Sequence, residues 1–152
     1  GFFSSHFQCI AAHTSFGSYV AQVVEVSLPE ENQIKVERVV CVADCGTYVN
    51  PQIIQMQMEG GILFGLTAAA FGDINFEDGA VLQGNFDSYR MVKQKEVPKV
   101  EVYVMDNYDA GAGGVGEPGV PPIAPALANA LFAATGKRIR SLPLSKHGFE
   151  LV

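Results

Sequence analysis

Residues 111–119 read Gly-Ala-Gly-Gly-Val-Gly-Glu-Pro-Gly. The glycines at 111, 113, 114 and 116 let a backbone pass close to a ligand. A single carboxylate, Glu117, follows them, and Pro118 stiffens the exit. A lone acid on a tight, apolar loop is what a general base in a closed pocket needs, because Val115, Pro118 and Val120 would strip water from it and leave it a stronger base. Taken from composition alone, a solvated loop glutamate is the simpler reading. The stretch from Gly111 to Gly116 also fits G-x-G-x-x-G. A dinucleotide site needs a helix to open at the third glycine, with an acidic residue about 20 positions on. Here Glu117, Pro118, Pro121 and Pro122 intervene, a carboxylate would repel the phosphate, and Lys137 and Arg138 stand where the acid is needed. The phosphate cradle is therefore set aside.

A second candidate group is Gln57-Met58-Glu59-Gly60. On a helix Gln57 and Glu59 point to different faces, so one can meet a ligand while the other makes a structural bond. His13 adjoins Thr14 and Ser15, but no Cys or Asp stands ready to complete a hydrolytic triad. His6, His13 and His147, with Cys9, Cys41 and Cys45, lack metal-ligand spacing, so no metal held by protein side chains is expected. Asp44 reads as a cap on the turn after a strand, and Asn85 and Tyr89 as loop hydrogen-bonding residues. A net charge of −6 argues against a nucleic-acid or anionic-membrane partner. No apolar run is long enough for a membrane span, and the first seven residues lack the basic start of a signal peptide. Apolar residues make up 48% of the chain and charged ones 17%, the balance of a folded domain with part of its surface covered by a partner or by more chain. The start Gly-Phe-Phe, without an initiator Met, is expected to be cut from something longer.

The elements that must position these residues follow from pattern. A β-branched stretch over 19–28 and another over 34–43 predict a strand hairpin about the polar turn 29–33, the second strand buried on both faces. Asn50-Pro51 predicts an N-cap and first helical residue. The helix should run from Gln52 to about Ala70, roughly 30 Å, with Ile53, Met56, Gly60, Leu63, Phe64 and Thr67 along its packed stripe and Gly60, Gly61 and Gly65 against another backbone. Asp78-Gly79 signals a short hairpin. Val100, Val102 and Val104 alternate with polar partners as a half-exposed strand. An alanine-rich helix over 124–135 stops at Gly136, and a last short strand is expected over 139–144. The fold class is α+β, mixed sheet pieces with two main helices.

Four segments occur together in order: Ala43-Asp44-Cys45-Gly46 with Val49-Asn50-Pro51, Gln57-Met58-Glu59-Gly60-Gly61, Asn85 to Arg90, and Gly114 to Ala126. With His13 to Ala21, the set resembles the C-terminal part of the molybdenum-binding large subunit of the xanthine dehydrogenase and aldehyde oxidase family, of the isoquinoline 1-oxidoreductase beta-subunit type. The resemblance covers nearly the whole chain and makes residues 1–152 one segment of a larger molybdopterin-binding domain. It implies a molybdenum hydroxylase that inserts a water-derived oxygen into an aldehyde or N-heterocycle. Its molybdenum is carried by a molybdopterin, as the cytosine dinucleotide. Glu117 matches the family's general base, Gln57 its contact to the pterin cofactor, and Gly116 is implied as a second cofactor-binding residue. Iron–sulfur clusters belong to a separate small subunit or domain. The remaining partners implied are the rest of the large subunit and a small-molecule substrate, in the cytoplasm or, for exported relatives, the periplasm. Upstream cofactor loops of the family are absent from these residues, so a non-catalytic cofactor-docking or assembly piece stands as the alternative.

Overall fold

The computed structural model describes residues 5–152. Residues 1–4, which carry part of the signal-peptide expectation, lie outside the described residues. Strands β1 (Phe7–Ser15), β2 (Ser18–Ser27) and β3 (Gln33–Asp44) run as an antiparallel meander. After β3, Asn50 caps helix α1 (Pro51–Phe71), its side chain accepting the Gln52 N–H at 2.9 Å. A two-stranded hairpin follows, β4 (Phe76–Glu77) and β5 (Ala80–Val81), about Asp78-Gly79. Strand β6 (Lys99–Val104) then returns parallel to β3. The glycine loop leads into helix α2 (Ile123–Thr135), which Gly136 closes in the left-handed conformation at φ 72°. Strand β7 (Glu150–Leu151) pairs with the start of β3. The main sheet has the order β1-β2-β3-β6, with β7 beside β3.

Both helices lie on one face of the sheet. Helix α2 covers β1 and β2, and α1 lies against β6 and α2. The core joins Val20, Val24, Val39 and Cys41 of the sheet to Ile54, Met58, Ile62 and Leu66 of α1 and to Leu127 and Leu131 of α2. The architecture is α+β, as the element pattern requires.

The expectation that β3 is buried on both faces is corrected. Val39, Cys41 and Ala43 are buried, whereas Val40 and Val42 lie on the uncovered face. A register shift between Glu25 and Val26 puts the extra residue Glu37 into β3, and this bulge resets which residues face the helices. The packed stripe of α1 is corrected as well. The core takes Ile54, Met58, Ile62 and Leu66, a four-residue row; of the expected stripe Thr67 is buried, while Ile53, Met56 and Phe64 remain exposed. Gly61 and Gly65 do meet other backbone: a Cβ on Gly61 would lie 3.3 Å from Gly119, and one on Gly65 2.8 Å from the Val120 carbonyl. Gly60 meets nothing within 4 Å. The strand expected over 139–144 does not form; a short 3₁₀ turn at Leu144–His147 and then β7 take its place, because Pro143 cannot donate to a ladder. Strand β1, with few β-branched residues, was not foreseen.

Candidate functional site

The β1–β2 hairpin turns on two residues, Phe16 and Gly17, between the paired Ser15 and Ser18. Its tip packs directly on the glycine loop. Gly114 N–H donates to the Phe16 carbonyl at 2.8 Å, and Gly113 N–H to the Cys45 carbonyl at 2.8 Å. A Cβ on Gly113 would come within 2.4 Å of Ser18 Oγ and 2.7 Å of the Gly17 carbonyl. This approach is why residue 113 has no side chain.

Strand β2 then ties the loop from below. Ser18 and Gln22 lie on its inner face among Val20, Val24 and Val26. Ser18 Oγ donates to the Gly114 carbonyl at 2.8 Å, and Gln22 Nε2 to the Gly119 carbonyl at 2.7 Å. Both side chains are fully buried. The two ties bracket Gly116 and Glu117. Gln22 Oε1 has no hydrogen-bond partner among the described residues. Burial pushes the neighbouring Cys41 thiol up to about 12, with the nearby Gln22 amide opposing.

Helix α1 forms the opposite wall. Gln57 Nε2 donates to the Gly116 carbonyl over a long 3.4 Å. Gln57, Gly60, Gly61 and Phe64 share one side of the helix and line a cavity of about 510 Å³. The loop contributes Gly116, Glu117, Val120 and Pro121 to the same cavity, and the hairpin contributes His13, Ser15 and Phe16. The lining is mainly apolar, with a carboxylate, an amide, a hydroxyl and an imidazole spread across it. Such a pocket seats a small organic molecule and orients it through a few polar atoms.

The three candidates Gln57, Gly116 and Glu117 thus meet in one place. The expectation of a desolvated Glu117 is corrected: Glu117 is exposed, while Pro118 is buried and Val115 packs against the core, so neither shields the carboxylate. Asp44 has the capping role expected, accepting from Gly46 N–H at 3.1 Å and from Asn107 Nδ2 at 2.9 Å. Asn85 closes its own loop, its carbonyl accepting the N–H groups of Ser88 and Tyr89 at 3.0 Å. Sequence reasoning passed over Ser18, Gln22, Ser15 and Phe16. The available signal was Gln22, a lone amide at an apolar position of an alternating strand.

The family model for the molybdopterin cofactor-binding domain matches residues 3–98. The beta subunit of isoquinoline 1-oxidoreductase from Brevundimonas diminuta is 37% identical over 135 residues, covering 88% of this chain and 17% of that protein. A match of that extent necessarily contains both Gln57 and Glu117. The putative xanthine dehydrogenase molybdenum-binding subunit of Escherichia coli (strain K12) is 32% identical over 138 residues, covering 86% of this chain and 18% of its own length. Among solved structures, the aldehyde oxidoreductase from Desulfovibrio desulfuricans aligns with a TM-score of 0.68 at 28% identity, over 83% of this chain and 14% of that one. The chain therefore spans less than a fifth of the length of these relatives. With more than half of its residues matched by the family model, the chain belongs to the molybdopterin cofactor-binding domain family of molybdenum-binding oxidoreductase subunits.

Proposed function

We propose that this chain supplies one wall of the catalytic site of a molybdenum hydroxylase acting on an aldehyde or N-heterocycle, with Glu117 as general base and Gln57 and Gly116 as cofactor contacts. The observation that carries the proposal is that Gln57 and Glu117, from two distant segments, line one cavity. The lining fits a molybdenum held by a pterin: the cavity offers an amide, a hydroxyl-bearing residue and open glycine backbone, donors and acceptors suited to the edge of a heterocycle. Gly60 and Gly116 have free space where a Cβ would be, and Ser15 Oγ is shielded from solvent without a partner among the described residues.

When bound, the molybdopterin-held molybdenum supplies the redox chemistry that inserts a water-derived oxygen. The protein's part is orientation and proton transfer. Gln57 Nε2, holding only a long bond to the Gly116 carbonyl, is free to donate to a ring acceptor. Glu117 accepts a proton at its carboxylate, on a loop that Ser18 and Gln22 hold from both sides. Water exclusion must come from elsewhere, because Glu117 is exposed. That supports residues 1–152 as the C-terminal portion of a larger molybdopterin-binding domain completed by the rest of the large subunit. The cofactor is proposed to be the cytosine dinucleotide form, with iron–sulfur clusters on a small subunit, in the cytoplasm or the periplasm.

The exposure of Glu117 also favours a second reading, a cofactor-docking or assembly piece without catalysis of its own. The variant Glu117→Gln in the complete enzyme separates the two. The expected result is full molybdenum and pterin content with turnover lowered by about 10²–10⁴-fold. Turnover near that of the unaltered enzyme removes Glu117 as the base and leaves the docking reading.

A further inference from the structure

The tip of the β1–β2 hairpin is built against local preference. A two-residue hairpin turn with positive φ at both central positions takes Asn, Asp or Gly at the first of them. Here Phe16 occupies it at φ 55°, ahead of Gly17 at φ 76°. A bulky side chain in left-handed backbone is strained, and it persists where the surroundings over-determine it, often at binding sites. The backbone around Phe16 is over-determined: Ser15 pairs with Ser18, and the Phe16 carbonyl accepts the Gly114 N–H. The ring itself contributes little to the core, being 62% exposed. It lines the cavity that holds Glu117, together with Phe64, Val120 and Pro121. Beside it, Ser15 lines the same cavity, and its Oγ is shielded from solvent with no partner among the described residues. A strained, exposed ring opens on this space, and an orphaned hydroxyl on the adjacent residue lies just beneath its lining. Folding explains neither of them.

We infer that Phe16 and Ser15 are substrate-recognition residues. The Phe16 ring takes the flat apolar body of an aromatic substrate, and Ser15 Oγ hydrogen-bonds a polar atom on its edge. Stacking on an aromatic face favours planar substrates over small aliphatic ones. The inference rests on the catalytic site proposed above, since it presumes that the reacting molecule enters the cavity beside Glu117.

The strain supplies the test. Asparagine suits the turn position that phenylalanine occupies, so Phe16→Asn should relieve the backbone while deleting the ring. In the complete enzyme the variant is expected to unfold at a higher temperature than the unaltered protein and to keep its molybdenum. Its KM for benzaldehyde and isoquinoline should rise about tenfold, with kcat within about twofold and acetaldehyde unaffected. The rise in unfolding temperature that benzaldehyde or isoquinoline produces should shrink in Phe16→Asn, a readout that needs no turnover. Ser15→Ala should shrink it for isoquinoline with no loss of stability in the absence of ligand. An unchanged ligand-induced rise in Phe16→Asn, or no rise with either compound in the unaltered enzyme, overturns the inference. Lost molybdenum in Phe16→Asn also overturns it, because the ring would then serve the cofactor or the loop. Failure of Phe16→Asn with an inactive Glu117→Gln leaves the catalytic proposal standing; an active Glu117→Gln removes that proposal independently.

Discussion

Replacing Gln22 by leucine separates holding the loop from holding the fold. Gln22 is fully buried, and its Nε2 donates to the Gly119 carbonyl at 2.7 Å, two residues beyond Glu117. Its Oε1 has no partner among the described residues, and the buried thiol of Cys41 is a weak donor at best. Two terms compete in Gln22→Leu. The buried Gly119 carbonyl loses its partner, at a cost of about 1–3 kcal/mol. The orphaned Oε1 disappears as well, and its removal returns a penalty of about the same size. What remains is the net value of one hydrogen bond, so the unfolding free energy should fall by no more than about 1.5 kcal/mol. The loop fares worse. It keeps the Ser18 tie at Gly114 and loses the one beyond Glu117. A reacting group displaced by about 1 Å loses about 10²-fold in rate.

The expected outcome for Gln22→Leu in the complete enzyme is therefore near-normal stability in urea unfolding, normal molybdenum content and kcat lowered about 10²-fold. Gln22→Glu serves as the contrast, being nearly isosteric but setting a buried carboxylate against the Gly119 carbonyl, so it should lose both stability and turnover. If Gln22→Leu keeps kcat within about twofold, the tie does not position Glu117. If it costs more than about 3 kcal/mol, the offset between the two orphaned groups is wrong and the amide is part of the core's support.

Two glycines at the site should respond in opposite directions. Gly60→Ala, mid-helix with nothing within 4 Å of the new methyl, should gain about 1 kcal/mol in urea unfolding. Gly113→Ala drives its methyl to 2.4 Å from Ser18 Oγ and should lose about 1–3 kcal/mol; equal effects at the two positions would contradict the packing described. On the open sheet face, His6 Nδ1 and Gln8 Nε2 both lie 2.5 Å from the Glu25 carboxylate. The His6 hydrogen bond, then that of Gln8, hold Glu25 below the usual 4.5, against the opposing effect of burial. Its contribution to stability is present above that value and fades as pH falls through the lower folded value. His6→Ala should accordingly flatten the acid limb of a stability–pH curve below about 4.5; an unchanged slope would remove His6 as the cause.

Much of the frame could be read from local chemistry. Asn50-Pro51 marks the start of α1, Asp78-Gly79 the small hairpin and Gly136 the end of α2, because each signal depends on one residue's own backbone preference. Gln57 and Glu117 stand out by side-chain type. The hydrogen bonds that bring them together do not. Ser18 and Gln22 bind carbonyl oxygens of Gly114 and Gly119, and every residue has a carbonyl, so no sequence position advertises the acceptor. Only the donor leaves a trace, as an amide among valines in β2. The exposure of Glu117 was illegible for a related reason. Apolar neighbours in sequence imply a dry carboxylate only if they pack over it, and Pro118 is buried while Glu117 is not.

Helix α1 shows why its periodicity misled and why it suits the site. The row Ile54, Met58, Ile62 and Leu66 enters the core. Gln57, Gly60, Gly61 and Phe64 line the cavity, at intervals of three, four and seven residues that make a second continuous stripe. Apart from Gln57, both stripes are apolar or small, so hydrophobic spacing alone cannot say which is buried. The consequence is mechanical. Gln57 is carried by a helix whose neighbouring face is fixed by close-packed core residues, and Gly61 and Gly65 bring that helix against the backbone of Gly119 and Val120. The amide and the carboxylate are thus set on two segments in direct contact, and the loop's ties to β2 fix the carboxylate's segment to the sheet against which α1 packs. A rigid element placed against a tied loop is the arrangement that holds a site to within the fraction of an ångström that proton transfer demands.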